Sequence, residues 1–320
     1  MPDLVTADHM IPADTAGIEL FLRNKRPADM TAFSAARTML FVHGATYPAN
    51  AIFDFPIDGL SWLDFMAAKG FDVWSLDIRG YGKSTRPPEM AEAPENNPPV
   101  ADTATARRDV ASAVDFIFAE RGLSQLCLLG YSWGTAIMGG YTAEHGEQVH
   151  KLVLLAPTWR RKAGYNPLGS TDAAKHAYRL VDQAATRARF FHGISEDNQD
   201  ELIDSGDLQR WLDVNWAQDP EANDHNPPKL RAPTGVLKDL VDSLKTGGMR
   251  YDAGKITCPV LIPVGEWDAD TPPEQAQRLF ADLVNTTTKR LIMIGRATHS
   301  LPLERKRLEL FGEVQAFLEE

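Results

Sequence analysis

Short apolar runs recur along the chain, separated by helix-like segments, and this alternation restricts the fold more than any other feature. The candidate strands are IELFLR (18–23), TMLFVH (38–43), FDVWSLD (71–77), QLCLLG (125–130), KLVLLAP (151–157), PVLIPVG (259–265) and RLIMIG (290–295). Such continuous runs suit strands buried on both faces of a sheet. Between them, Val110, Val114, Ile117 and Phe118 lie at helical spacing within 104–120, and Leu308, Phe311, Val314 and Leu318 do so in the last helix. Both sets read as stripes facing the core. The alternation predicts an α/β protein with a mostly parallel, doubly wound sheet covered by helices.

Two stretches interrupt the pattern. RPPEMAEAPENNPPVAD (86–102) holds five prolines and reads as an exposed, irregular loop, because proline removes backbone donors and fixes φ. The second runs from about 158 to 256, is rich in polar and acidic residues, and looks helical in parts, as in TDAAKHAYRLVDQAATRARFF. With no strong strand in it, this segment is expected to be a helical cap inserted between two strands. Residues 1–157 and 257–320 would then form the core.

Composition narrows the classes of function. The 320 residues carry a formal net charge of −11, which disfavours nucleic acid and a basic membrane-surface helix, since both need clustered Lys and Arg. No apolar run reaches the eighteen residues of a membrane span, and the amino terminus lacks the basic and apolar regions of a signal peptide. Cys127 and Cys258 sit in or beside apolar runs and read as buried small residues, so the expected compartment is the cytoplasm. There is no H-E-x-x-H, no paired C-x-x-C and no histidine cluster, so neither metal nor cofactor is expected.

GYSWG, Gly130 to Gly134, follows a strand and precedes the helix-like TAIMGGYTAEH. That is the setting a G-x-S-x-G nucleophile elbow requires: a tight turn that lifts the Ser132 oxygen clear of the sheet. A serine hydroxyl is a weak nucleophile and needs a base held by an acid. His299, in GRATHSLP after the last strand, is the candidate base. The acid lies in GEWDADTPP, where Asp268 and Asp270 compete, and Asp268 is preferred because it is nearer the strand end. In LFVHGATYP, Gly44 lets the chain turn inward after the strand, so that the Ala45 amide, with that of Trp133, would face developing oxyanion charge. Thr46 is the alternative donor, and His43 is expected to orient this loop. DIRGYGKST ends like a phosphate-binding loop, but Asp77 occupies the first glycine position and that reading fails, leaving a structural turn with a solvated Lys83.

On LFVHG, DIRGYGKS (77–84), GYSWG, GEWDADTP and the histidine at 299, the chain resembles the α/β-hydrolase superfamily over nearly its whole length, with an inserted cap. The order Ser132, Asp268, His299 is the order such hydrolases use. The resemblance implies acyl transfer on a small-molecule ester, since relatives that cleave haloalkanes or epoxides carry aspartate at the elbow. Tyr131, Trp133, Trp159 and Trp267 flank the elbow, the cap entrance and the acid loop, and suit a pocket for apolar or aromatic groups. Arg160, Arg161 and Lys162 form a basic cluster where the cap leaves the sheet. It reads as a solvated run or, more sharply, as a holder for a substrate carboxylate. HGATYP, DIRGYGKSTRPPEM and GYSWGT are similar to monoalkyl phthalate ester hydrolases, which would fit a half-ester substrate. GEWDADTP also resembles the acid loop of proline iminopeptidases, although those carry an HGGPG-type loop where this chain has HGATYP. A hydrolase-fold ligand-binding protein with little turnover is the reading from a different class.

Overall fold

The computed structural model describes residues 2–160, 171–246 and 250–320. Its strands are β1 (Leu4–Pro12), β2 (Glu19–Pro27), β3 (Thr38–Val42), β4 (Asp72–Asp77), β5 (Leu126–Tyr131), β6 (Val149–Leu155), β7 (Tyr178–Asp182), β8 (Lys229–Pro233), β9 (Val260–Gly265) and β10 (Lys289–Ile294). Eight of them form one sheet in the order β1-β2-β4-β3-β5-β6-β9-β10. From β4 to β10 the strands are parallel, while β1 and β2 add an antiparallel edge.

The two-residue period of the strands divides the core into two layers. Leu40 and Val42 of β3 face one side of the sheet, where Val110, Val114 and Ile117 of the helix Thr103–Arg121 cover them. Met39 and Phe41 face the other side, against Trp62, Phe311 and Val314. Asp102 begins the first of these helices by accepting the Thr105 amide at 2.8 Å, and Gly122 ends it in the left-handed region at φ 65°. In the last helix, Arg307–Glu319, the buried stripe is Leu310, Phe311, Val314, Phe317 and Leu318. Leu308 is three positions before Phe311 but does not belong to the stripe and is 48% exposed, because it lies about 120° round the helix from the stripe's centre.

The segment between β6 and β9 carries helices at Gln183–Phe190, Glu196–Leu202, Ser205–Trp216 and Gly235–Thr246. It also holds strands, which the sequence did not reveal. β7 and β8 pair antiparallel from Tyr178↔Pro233 to Asp182↔Lys229. YRLVD and KLRAP are too short and too charged to read as strands, and a buried ion pair between Arg231 and Asp219, at 2.6 Å, stabilises the ribbon from within. β1 escaped notice for a related reason. It is an edge strand with one face largely exposed, so its apolar content is low. The proline-rich loop is not wholly exposed either: Met90 and Val100 are buried against Ala177 near the start of the ribbon. The inserted segment docks back onto the core through the Trp211 indole, which donates to the Ala51 carbonyl at 2.8 Å.

Both cysteines are free and buried. Among the described residues no helix is long and apolar enough to cross a membrane, and no group of three or more potential ligands is arranged to hold a metal ion.

Candidate active site

β5 passes into the helix Trp133–Glu144 through Ser132, whose backbone lies at φ 55°, ψ −117°. A non-glycine residue at positive φ is strained, and the neighbouring glycines keep it there. A Cβ on Gly130 would stand 2.2 Å from the Gly134 carbonyl oxygen, and one on Gly134 would stand 2.4 Å from that of Val42. Only chains bare of side-chain atoms can approach so closely, so the two outer glycines of G-x-S-x-G are steric necessities of this turn. The Ser132 amide donates to the Leu155 carbonyl at 2.9 Å, tying the turn to the end of β6.

Ser132 Oγ lies 2.9 Å from His299 Nε2, and His299 Nδ1 lies 2.9 Å from Asp268 Oδ2. With the proton on Nδ1 and donated to the Asp268 carboxylate, Nε2 is left to accept the serine proton. Asp268 is buried and also accepts the Asp270 amide at 2.9 Å and the Thr271 amide at 2.7 Å, while the Thr271 hydroxyl stands 2.8 Å from its Oδ2. These donors fix the carboxylate plane. The histidine loop is held by Tyr131, whose hydroxyl donates to the His299 carbonyl at 2.7 Å, and by Glu304, whose carboxylate accepts the Thr298 amide and hydroxyl. Burial pushes the Glu304 carboxyl up to about 7, against those hydrogen bonds. A hydroxyl, imidazole and carboxylate in this order can activate the oxygen for attack on a carbonyl.

Trp133 is the first residue of its helix, so its amide has no acceptor within the helix. The loop after β3 lies directly beside Ser132, since a Cβ on Gly44 would approach Ser132 Cβ to 2.9 Å. His43 holds that loop. Its Nδ1 donates to the Gly44 carbonyl at 2.6 Å and its Nε2 accepts the Ile78 amide at 3.1 Å. Full burial pulls its pKa down to about 4, so it stays neutral in this role. Thr46, at φ 85°, turns its hydroxyl to accept from Arg179 Nη2 at 2.6 Å. Asp77, in DIRGYGKS, is likewise structural: it accepts the Ala49 and Lys83 amides at 2.8 and 3.1 Å.

Ser132 and His299 face two adjoining chambers. One, of about 460 Å³, is walled by Tyr47, Ile52, Tyr131, Phe190, Trp211 and Leu303. The other, of about 330 Å³, is walled by Trp133, Thr158, Val236, Leu240 and Arg250. Ala45, Arg189 and Asp270 border both. The inserted segment thus roofs the site, and Ser132 is only 8% exposed. Burial alone would raise the Asp270 carboxyl, but Arg189, with Nη2 at 2.6 Å from Oδ2, outweighs it and keeps the acid ionised.

Several residues expected at a substrate pocket stand elsewhere. Tyr131 does line the larger chamber, and Trp133 borders the smaller one while its indole donates to Thr103 Oγ1 at 2.9 Å. Trp159 instead donates to Asp282 at 2.7 Å and packs on Tyr251, ring centroids 4.8 Å apart. Arg160 has its Nε 3.3 Å from Asp282 on the outside of the fold, with its side chain 52% exposed. Trp267 lies under Arg296, 5.3 Å from ring centroid to guanidinium carbon. The expectation that Arg160 reaches the pocket is therefore corrected, because Asp282 draws it away. Arg161 and Lys162 lie outside the described residues. The pocket's own cations, Arg189 and Arg250, were missed. Both belong to the inserted segment, where no local motif marks which arginine turns inward.

The comparisons with known proteins agree with this architecture. The family described as serine aminopeptidase, S33, matches residues 35–306. The AB hydrolase superfamily protein YisY of Bacillus subtilis is 32% identical over 134 residues, or 40% of this chain and 42% of that protein. The chain thus spans about two fifths of the length of that curated relative. An esterase from Exiguobacterium antarcticum superposes with a TM-score of 0.63 at 19% identity, covering 98% of this chain and 100% of the other. A monoacylglycerol lipase from Paleococcus ferrophilus gives 0.62 at 18% identity, with 94% and 99% covered. At such identities these two likenesses speak for the fold. With the family match running through most of its length, the chain belongs to the serine aminopeptidase S33 family, within the α/β-hydrolase superfamily.

Proposed function

We propose that this hydrolase cleaves carboxylic esters through an acyl-enzyme on Ser132. The observation that carries the reading is the unbroken hydrogen-bonded series Ser132 Oγ, His299, Asp268, with 2.9 Å at each step. In this account Ser132 attacks the ester carbonyl while His299 Nε2 takes its proton, and Asp268 stabilises the resulting imidazolium. The Trp133 and Ala45 amides receive the oxyanion, each worth on the order of 3 kcal/mol in the transition state. His299 returns the proton to the departing alcohol, water then attacks the acyl-enzyme, and the serine is regenerated. Residues 158–256 act as the cap that excludes bulk water.

The aromatic and aliphatic walls of the larger chamber favour a small apolar or aromatic ester. The resemblance to monoalkyl phthalate ester hydrolases points to a half-ester within that class. A peptidase acting at a free amino terminus is the competing reading, and the family description keeps it in view. Against it, Asp270, the carboxylate on the chamber wall, is already neutralised by Arg189, so a substrate ammonium would meet a cation beside it. Comparing p-nitrophenyl butyrate with prolyl p-nitroanilide tests the choice. The proposal expects turnover of the ester at least about a hundredfold above the anilide, a preference worth 2.7 kcal/mol. The reverse preference would establish the peptidase, and no turnover across a broad panel of esters and amides would favour a ligand-binding protein.

A further inference from the structure

We infer that Arg250 is the specificity-determining residue of the smaller chamber, where it binds a carboxylate on the acid portion of the ester substrate. The inference rests on the ester-hydrolase reading above and adds to it the chemical class of the acyl group.

The guanidinium stands on the wall of the same chamber as Ser132 and His299. Its Nη1 is buried and has no hydrogen-bond partner among the described residues. A buried cationic donor without a partner is costly, and such groups survive where a ligand completes them. Burial also pulls the pKa of Arg250 downward, against the favourable field of Asp239. Asp239 does not hydrogen-bond to Nη1, and its Oδ2 accepts the Thr103 amide at 2.6 Å. Arg189, the chamber's other cation, is matched by Asp270. The charged side chains that line the chamber are Arg189, Arg250 and Asp270, so its wall carries a single net positive charge, which a monoanion neutralises and a dianion overshoots. A planar carboxylate matches the guanidinium fork as well as the charge.

Position decides which half of the substrate carries the anion. The larger chamber offers Ile52, Phe190, Trp211 and Leu303, surroundings suited to an alkyl alcohol. Arg250 lines the second chamber that Ser132 borders, together with Val236 and Leu240, which suits an aromatic or short aliphatic spacer ending in carboxylate. Hydrolysis of such a half-ester consumes one water and releases the alcohol and a dicarboxylate.

The test uses two matched ester pairs: monobutyl phthalate with butyl benzoate, and monobutyl succinate with butyl 4-methylpentanoate. The wild-type chain should prefer the acid member of at least one pair by about tenfold or more in kcat/KM, as a charge-assisted hydrogen bond allows. Arg250→Gln should reduce that preference by a further factor of about ten, and Arg250→Lys, which keeps the charge, should reduce it less. A second measurement needs no variant: benzoate, a monoanion, should inhibit wild-type hydrolysis of p-nitrophenyl butyrate at lower concentration than neutral benzamide does. The inference is overturned if the wild type prefers neither acid, if Arg250→Gln leaves the preference intact, or if benzoate and benzamide inhibit alike. Failure of the underlying reading looks different, since p-nitrophenyl butyrate would then not be hydrolysed or would be hydrolysed equally by Ser132→Ala.

Discussion

Asp268 and Asp270, two positions apart on one loop, face different partners: Asp268 Oδ2 lies 2.9 Å from His299 Nδ1, and Asp270 Oδ2 lies 2.6 Å from Arg189 Nη2. One carboxylate reaches toward the elbow while the other neutralises a cation on the chamber wall. Asp268→Asn should lower kcat by about 10³–10⁴-fold, because an amide there no longer holds the productive imidazole tautomer. Asp270→Asn should lower kcat by less than about tenfold, its effect falling on KM through an unpaired Arg189. Steady-state kinetics on p-nitrophenyl butyrate separates the two, and equal losses in kcat would contradict the assignment.

The elbow glycines are a matter of sterics rather than chemistry. Gly130→Ala should destabilise the chain by at least about 3 kcal/mol, the upper end of overpacking costs, because its Cβ would meet backbone at 2.2 Å. Gly312→Ala is the control, since nothing lies within 4 Å of a Cβ there. Urea unfolding of both variants checks the contrast.

How much of this could be read in the sequence follows from how local each feature is. The elbow is five consecutive residues in which a Cβ on Gly130 would meet the backbone of Gly134, so GYSWG encodes much of its own geometry. His299 and the acid loop follow strand ends, and strand ends on a parallel sheet converge. The choice between Asp268 and Asp270 rests on proximity to the strand and on the turn that Pro272 completes, because Arg189, which claims Asp270, is 81 positions away. The two readings of Arg160, solvated or turned to the substrate, are not separable in the sequence, because Asp282, beside which it lies exposed, is distant along the chain. The true wall residues, Arg189 and Arg250, depend on how the insertion folds over the sheet, and its ribbon of β7 and β8 carries no apolar pattern to show that.

Glu304 gives a pH-dependent prediction. Its carboxyl is raised by burial to about 7, above its unfolded value, so the protonated form is the one the fold favours. Its contribution to stability is full below the unfolded pKa and is lost as pH rises through about 7. Glu304→Gln, which cannot ionise, should therefore lose less Tm than the wild type between pH 5.5 and pH 8.5. Parallel melting curves at both pH values measure the difference, and identical pH slopes would contradict the assignment.

The central claim is that Ser132 carries the acyl group, and covalent trapping tests it most directly. Incubation with an alkyl fluorophosphonate followed by intact-mass and peptide mass spectrometry should show one adduct per chain, located at Ser132. Ser132→Ala should remain unmodified, retain its fold by circular dichroism and lose ester turnover on the order of 10⁴-fold or more. An adduct at another residue, or undiminished turnover by Ser132→Ala, would contradict the account.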